Sequence, residues 1–379
     1  MAGIVLISII IIISIIFLKR IIRSTSFQRW IIPCILNSNE NKRIIGYESQ
    51  DIYICICDHY QPFFGNVSQE IAEHRVVSWC KEYSKIIARH KDFDGRSPVH
   101  TFFYCEQDYS PKLLDNLAKL SKEGIADVEI LIAHQNDTAI NFARKIEEFR
   151  DALFHHHGLL RKDSEKLAFG FIHGYWALNN SRPDKTRCGV DCEIPILKQA
   201  GCYADFTYPS APDPTQPSIV NSIYFAENVP GRSRSHEYGY RVKKYLWSDK
   251  DLLLIQGPLS LNWKKRAYGI LPGLENGEIS ASSPFSPERV DLWIKSGIGV
   301  EGVNNHSFIK LYTHGGIDQN IRYFFGEDGF SVMWEYLEKN YNDGFRYKLH
   351  YVSAWEMYNI IKKLCLKTEF IQNRYIGSS

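Results

Sequence analysis

Apolar positions along this chain follow different patterns in successive regions. The first eighteen residues, MAGIVLISIIIIISIIFL, are almost wholly apolar. From Asp51 onward, short runs of Val, Ile, Phe, Tyr and Cys alternate with stretches in which apolar residues recur every three or four positions. The short runs lie at 51–57, 99–105, 127–133, 168–172, 202–206, 252–256 and 307–312 and predict strands. The longer-period stretches at 69–90, 111–120, 138–154, 190–198, 286–295, 330–339 and 353–366 predict helices. Such alternation predicts a parallel sheet. With seven strand runs and no Gly-rich phosphate loop, the expected fold is a seven-stranded (β/α) barrel rather than a doubly wound dinucleotide fold. The segment 207–250 is rich in Pro, Ser, Asn and Tyr and weakly periodic, so it reads as a long loop insertion at the barrel rim. The expected organisation is an anchor at 1–18, a juxtamembrane connector at 19–48, a barrel at 49–368 and a tail at 369–379.

Eighteen helical residues span about 27 Å, enough for a hydrocarbon core. Lys19, Arg20 and Arg23 follow the apolar run instead of preceding it. That order predicts an uncleaved single-pass anchor rather than a signal peptide, with the domain behind it on the cytoplasmic side. The nine cysteines point the same way. Cys55, Cys57 and Cys105 sit in strand runs as small hydrophobes, and Cys188 and Cys192 have no second pair with which to build a zinc ribbon. A reducing compartment is expected. A net charge of +2 gives no case for a nucleic-acid partner. Aromatics at 13% suit a carbohydrate-facing cleft, although core packing accounts for most aromatics in most proteins.

The candidate chemistry lies at the ends of the strand runs. The run 51–57 stops at Asp58-His59, a carboxylate able to act as general base beside an imidazole able to bind metal. His134 closes the third run, with Asp137 three residues on as either a second ligand or the cap of the next helix. His173 opens the turn HGYWALNN, which carries Trp176, while Asp205 ends the fifth run and His314 the seventh. The trio His155–His157 before Gly158 reads best as polar groups at a helix C-terminus. Strand C-termini of a barrel converge on one mouth. A His- and Asp-rich mouth without a nucleophilic Ser or Cys suggests metal-assisted hydrolysis.

Four stretches, CDHYQP at 57–62, FGFIHGYWALNNS at 169–181, GCYADFTYPSAP at 201–212 and FIKLYTHG at 308–315, resemble the polysaccharide deacetylase family, carbohydrate esterase family four, and its branch linked to surface-polysaccharide biosynthesis. The resemblance implies a divalent ion, most simply Zn²⁺, and an N-acetylated carbohydrate substrate. It implies Asp58 as catalytic base, His314 as general acid, and His59, His134 and Asp137 as metal ligands. It gives His173, Trp176 and Asp205 orienting roles. Thr138 stands where the family has a second histidine, leaving Asp137 or His173 to complete the ligand set. The expected reaction is hydrolysis of an N-acetyl group from a glycan or glycolipid. The alternatives are an amidohydrolase acting on another C–N bond and an inactive carbohydrate-binding scaffold.

Overall fold

The computed structural model describes residues 27–40, 49–267 and 271–366. The expected anchor and tail lie outside the described residues, among which no helix is long and apolar enough to cross a membrane. The first half of the described chain runs α1 (Phe27–Glu40), β1 (Gln50–Tyr60), α2 (Gln69–Ile87), β2 (His100–Cys105), α3 (Pro111–Lys122), β3 (Ala126–Ile132), α4 (Ala139–His157), β4 (Arg161–Asp163) and β5 (Lys166–His173). It continues with α5 (Glu193–Ala200), β6 (Cys202–Asp205), β7 (Ile223–Ala226), β8 (Gly239–Arg241), β9 (Leu252–Ile255), β10 (Ser260–Ala267) and β11 (Leu271–Glu275). The last elements are α6 (Pro287–Lys295), β12 (His306–Thr313), α7 (Asp318–Phe324), α8 (Phe330–Tyr341), β13 (Tyr347–Tyr351) and α9 (Ala354–Leu366).

The seven predicted strand runs are the parallel core of one sheet, in the order β12-β1-β2-β3-β5-β6-β9. Both faces are covered, which is why these runs are apolar throughout instead of alternating with polar residues. On β1, Ile52, Ile54, Ile56 and Tyr60 face a cluster that includes Trp79 and Tyr83 of α2, while Tyr53, Cys55 and Cys57 face a second cluster. That second cluster gathers Phe103, Leu131, Ile172, Tyr203, Leu253 and Phe308 from the other six parallel strands, so the sheet curls around a common interior. Met357, Tyr358 and Ile361 of α9 join the same interior cluster.

The closed barrel expected from the strand count is not made by strand pairing. No ladder joins β12 to β9 among the described residues. The two edges still approach: a Cβ on Gly257, just past β9, would stand 2.3 Å from the Lys310 carbonyl of β12. The segment 207–250, expected as a long loop insertion, also differs from expectation. It carries β7, which pairs antiparallel with β9, and β8, which pairs antiparallel with β7. Within the connector, 27–40 is helical, and its Trp30 and Cys34 are buried against Ala211, Val220 and Leu259.

At the N-terminal end of β1, His350 of β13 holds two elements together. Its Nε2 lies 2.8 Å from Asp51 Oδ1 and its Nδ1 2.9 Å from Asp94 Oδ2. Only the imidazolium can donate through both nitrogens. Partial burial lowers the pKa of His350, but the hydrogen bonds to Asp51 and Asp94 outweigh this and raise it above the ordinary value. A raised folded-state pKa adds stability that is complete below the unfolded value, about 6.5, and is lost as pH rises through the folded value. We expect His350→Gln to lower the melting temperature more at about pH 5.5 than at pH 9. Equal losses at both pH values, read by circular dichroism, would show that the bridge carries no charge-dependent stability.

Candidate functional site

The pleat separates the two residues that the sequence places side by side. Asp58 keeps the even register of Ile54 and Ile56, so its side chain turns toward the helix layer, whereas His59 follows Cys57 into the interior. Asp58 is fully buried. Its Oδ2 lies 3.0 Å from His100 Nε2, and its Oδ1 accepts from the Gly315 amide at 2.6 Å. The Trp79 indole donates to the Gly315 carbonyl at 2.8 Å, so Gly315 is gripped from both sides. A Cβ on Gly315 would stand 2.1 Å from Asp58 Oδ2, and such overpacking costs about 1–3 kcal/mol. The structure therefore does not bring Asp58, expected as the base, together with His59. The carboxylate faces away from His59, and its contacts fix the turn that carries His314.

At the interior mouth, His59 meets His314 with ring centroids 5.0 Å apart and planes at 71°. Tyr312 lies 5.5 Å and Trp176 6.5 Å from the His59 ring. His59 Nε2 is buried with no hydrogen-bond partner among the described residues, and so is Trp176 Nε1. Burial, then the charges of His314 and Lys310, press the His59 pKa well below the ordinary imidazole value. Burial also lowers His314, but the Asp58 and Glu278 carboxylates pull it back. Trp176 and His314 keep partial solvent exposure, while His59 is only 3% exposed, so solvent meets this group at the tryptophan and the second histidine. Trp176 adopts a left-handed φ of 54°, a strained backbone for a bulky residue.

At the end of β6, Asp205 accepts from the Thr207 hydroxyl at 2.7 Å and the Thr207 amide at 3.1 Å. Burial nevertheless pushes its pKa up to about 7. Buried Lys310 donates to the Phe206 carbonyl at 2.8 Å, and burial lowers its pKa. The Thr207 hydroxyl also accepts from the His173 amide at 3.0 Å, which joins the ends of β5 and β6.

His134, Asp137 and His173 form a second group, next to the helix layer. The His134 ring stacks on Phe142 of α4 at 4.6 Å. Its Nδ1 lies 3.1 Å from Asp137 Oδ2 and its Nε2 2.8 Å from Glu193 Oε1. Asp137 also accepts from the Thr138 amide at 2.8 Å and from Asn141 Nδ2 at 2.6 Å, while the Thr138 hydroxyl caps α4 by accepting from the Asn141 amide at 3.2 Å. Glu193 opens α5, where the helix dipole favours a carboxylate. It accepts from the Asn179 amide and, at 3.3 Å, from the Cys188 thiol. Burial pushes Glu193 up, but His173, His134 and the hydrogen bonds from His134 and Asn179 outweigh this and hold its pKa below the ordinary carboxylate value.

His134, His173, Cys188 and Glu193 each present one donor atom, all within 4.8 Å of one another, so the group could hold a metal ion. His134, Cys188 and Glu193 fit that use. Asp137 stands behind His134 Nδ1 as the carboxylate that fixes a ligating imidazole. His173 fits less well. Its Nδ1 accepts from the Tyr175 amide at 3.2 Å and the Ala177 amide at 3.3 Å, so the neutral ring carries its proton on Nε2. Burial pushes its pKa down to about 3, which keeps the ring neutral. Its Nε2–H, 3.7 Å from Glu193 Oε1, points into the cluster as a donor.

The expected ligand set of His59, His134 and Asp137 is thus split. His134 and Asp137 share one group, and His59 belongs to the other. Sequence reading missed Glu193, His100 and Lys310, and it set Cys188 aside. The signal available was CGVDCE, in which a cysteine precedes by five residues a glutamate that starts a helix. His157 plays a packing part: its Nδ1 lies 2.8 Å from Asp115 Oδ1 and its Nε2 3.2 Å from the Tyr109 hydroxyl.

No protein-family model matches this chain, and no curated protein matches it. Among solved structures, an alpha-mannosidase from Enterococcus faecalis V583 is similar over 83% of this chain and 29% of its own, with a TM-score of 0.43 and 9% identity. This chain spans under a third of that protein's length, and a likeness this loose carries no argument.

The grouping makes a prediction about metal. We expect full-length protein equilibrated with Zn²⁺ and then desalted to retain zinc, measured by elemental analysis. His134→Ala and Glu193→Gln should lose it, and His59→Ala should keep it. Asp137→Asn should weaken binding by about 10–100-fold, the usual effect of removing a carboxylate behind a ligating imidazole. Zinc lost from His59→Ala but kept by Glu193→Gln would place the metal at the mouth instead.

Proposed function

We propose that this chain is a hydrolase that removes an N-acetyl group from a glycan or glycolipid during polysaccharide or lipopolysaccharide biosynthesis. On this reading the curled sheet is an incompletely closed (β/α) barrel with its active site at the mouth. The observation that carries the proposal is the His59–His314 pair beside Trp176 and Tyr312. A neutral His59 with an unpartnered Nε2 suits proton abstraction from water. His314, lowered by burial and pulled only partway back by the Asp58 and Glu278 carboxylates, suits proton donation to the leaving amine on the acid side of about 6.5, where it is protonated. Trp176, partly exposed, offers a flat apolar face to a sugar ring.

Zn²⁺ at His134, Cys188 and Glu193 would supply fixed positive charge and folding free energy. All three donors are buried, and three protein ligands would leave a fourth coordination position open. The carbohydrate part of the proposal rests on the resemblance of the four motif stretches to polysaccharide deacetylases. The second reading, an inactive carbohydrate-binding scaffold, is favoured by the orientation of Asp58, which leaves the mouth pair without the expected carboxylate.

The test is acetate release from an N-acetylated oligosaccharide across about pH 4 to 9. We expect His314→Ala to lower the rate by about 10²–10⁴-fold and Asp58→Asn to lower it less. A general acid works only while protonated, so the rate should fall as pH rises through the His314 pKa. Because that pKa is lowered, the fall should lie on the acid side of about 6.5 and should vanish in His314→Ala. Binding of the oligosaccharide without acetate release at any pH, with or without zinc, would favour the scaffold.

A further inference from the structure

A cleft lies where α1 meets the chain between β7 and β8. It encloses about 390 Å³ and is lined by Arg29, Arg232, Arg234, Ser218, Ser233 and Glu237, with Tyr238 beside them. Small-molecule sites are usually roughly 300–1,000 Å³. Three guanidinium groups face one carboxylate in this lining, an excess of two positive charges.

The cations differ in how far they are committed. Arg234, whose side chain is 12% exposed, is anchored by the Ser181, Pro214 and Gln216 carbonyls and by Glu237 Oε1 at 2.7 Å. Its Nε–H is buried and finds no acceptor among the described residues. Arg232 lies over the Tyr238 ring at 4.4 Å and donates to the tyrosine hydroxyl through one nitrogen. Arg29, half-exposed, reaches Glu237 Oε2 at 3.4 Å, longer than a good charge-assisted hydrogen bond. Arg29 and Arg232 therefore keep N–H groups to offer, and Ser218 and Ser233 line the cleft with hydroxyls. Several planar donors plus hydroxyls around excess positive charge match a multi-oxygen dianion better than a monovalent carboxylate.

The cleft is bolted to the candidate site. The Arg234 amide donates to the Asn179 carbonyl at 2.8 Å, and Asn179 Nδ2 donates to the Arg232 carbonyl at 3.1 Å and the Ser235 hydroxyl at 2.9 Å. The Asn179 amide in turn donates to Glu193.

We propose that this cleft binds the phosphate of a phosphate ester, either a water-soluble sugar phosphate or the headgroup of a lipid-linked glycan. Assigning that phosphate to the substrate rests on the carbohydrate reading above; the binding itself does not. The test reads binding without turnover, so failure of the catalytic proposal leaves it intact. Full-length protein in neutral detergent micelles is titrated calorimetrically with inorganic pyrophosphate and, separately, with dodecyl phosphate. We expect saturable binding of at least one probe, weakened about tenfold or more in Arg29→Gln/Arg232→Gln, since each lost hydrogen bond to a charged group costs about that factor. Both side chains are solvent-accessible, and Arg232→Gln alone serves if the double variant fails to fold. Tighter binding of dodecyl phosphate identifies a lipid headgroup; equal or weaker binding identifies a soluble phosphate ester. No binding of either probe, or affinities in the variants within about twofold of wild type, would overturn the proposal.

Discussion

Successive residues on a strand must face opposite ways, and the arrangement of this site follows from that rule at one peptide bond. Asp58 and His59 are adjacent at the end of β1, yet one serves the helix layer and the other the interior. The carboxylate holds the Gly315 amide, and through it the turn that carries His314 back toward His59. The strand end thus places one imidazole directly and a second one indirectly, from β12. A slip of one residue in the β1–β12 register would exchange the faces and send His59 into the aromatic cluster around Trp79.

The other half of the polar inventory solves a different problem. Glu193 is a buried carboxylate that collects the Asn179 amide, the Cys188 thiol and the His134 imidazole. Those partners come from the turn after β5, the loop before α5 and the end of β3. An uncompensated buried carboxylate would cost several kcal/mol, so such a group persists only when its partners are supplied together. The cluster therefore specifies the relative placement of three loops whether or not an ion joins it.

The seven parallel strands were legible because burial on both faces leaves short continuous apolar runs that alternate with helix-period stretches. The added strands were not. β7 and β8 lie in a stretch dominated by turn formers, and Gly239–Arg241 has no apolar periodicity. β13 alternates polar and apolar residues over only five positions. Among site residues, His59, His134, His173 and His314 could be found because each ends an apolar run. The direction of Asp58 was also available in principle, since the pleat places it with Ile54 and Ile56, but family resemblance pulled the reading toward a paired mouth. Glu193 is marked only by the cysteine five residues before it and otherwise looks like an ordinary first-turn glutamate, and His100 opens a strand run instead of ending one.

The docking of α1 also fixes a length. Trp30 and Cys34 bury this helix against the rim, and its first residue, Phe27, follows the apolar run by only eight intervening residues, 19–26. Even fully extended, the nine Cα-to-Cα steps from Leu18 to Phe27 reach no more than about 32 Å. If the apolar run sits in a bilayer, the rim is confined to a thin layer above that surface, and any membrane-borne molecule meets it by diffusion in two dimensions. Lateral density in the bilayer, not concentration in bulk solution, would then set how often such a molecule encounters the site.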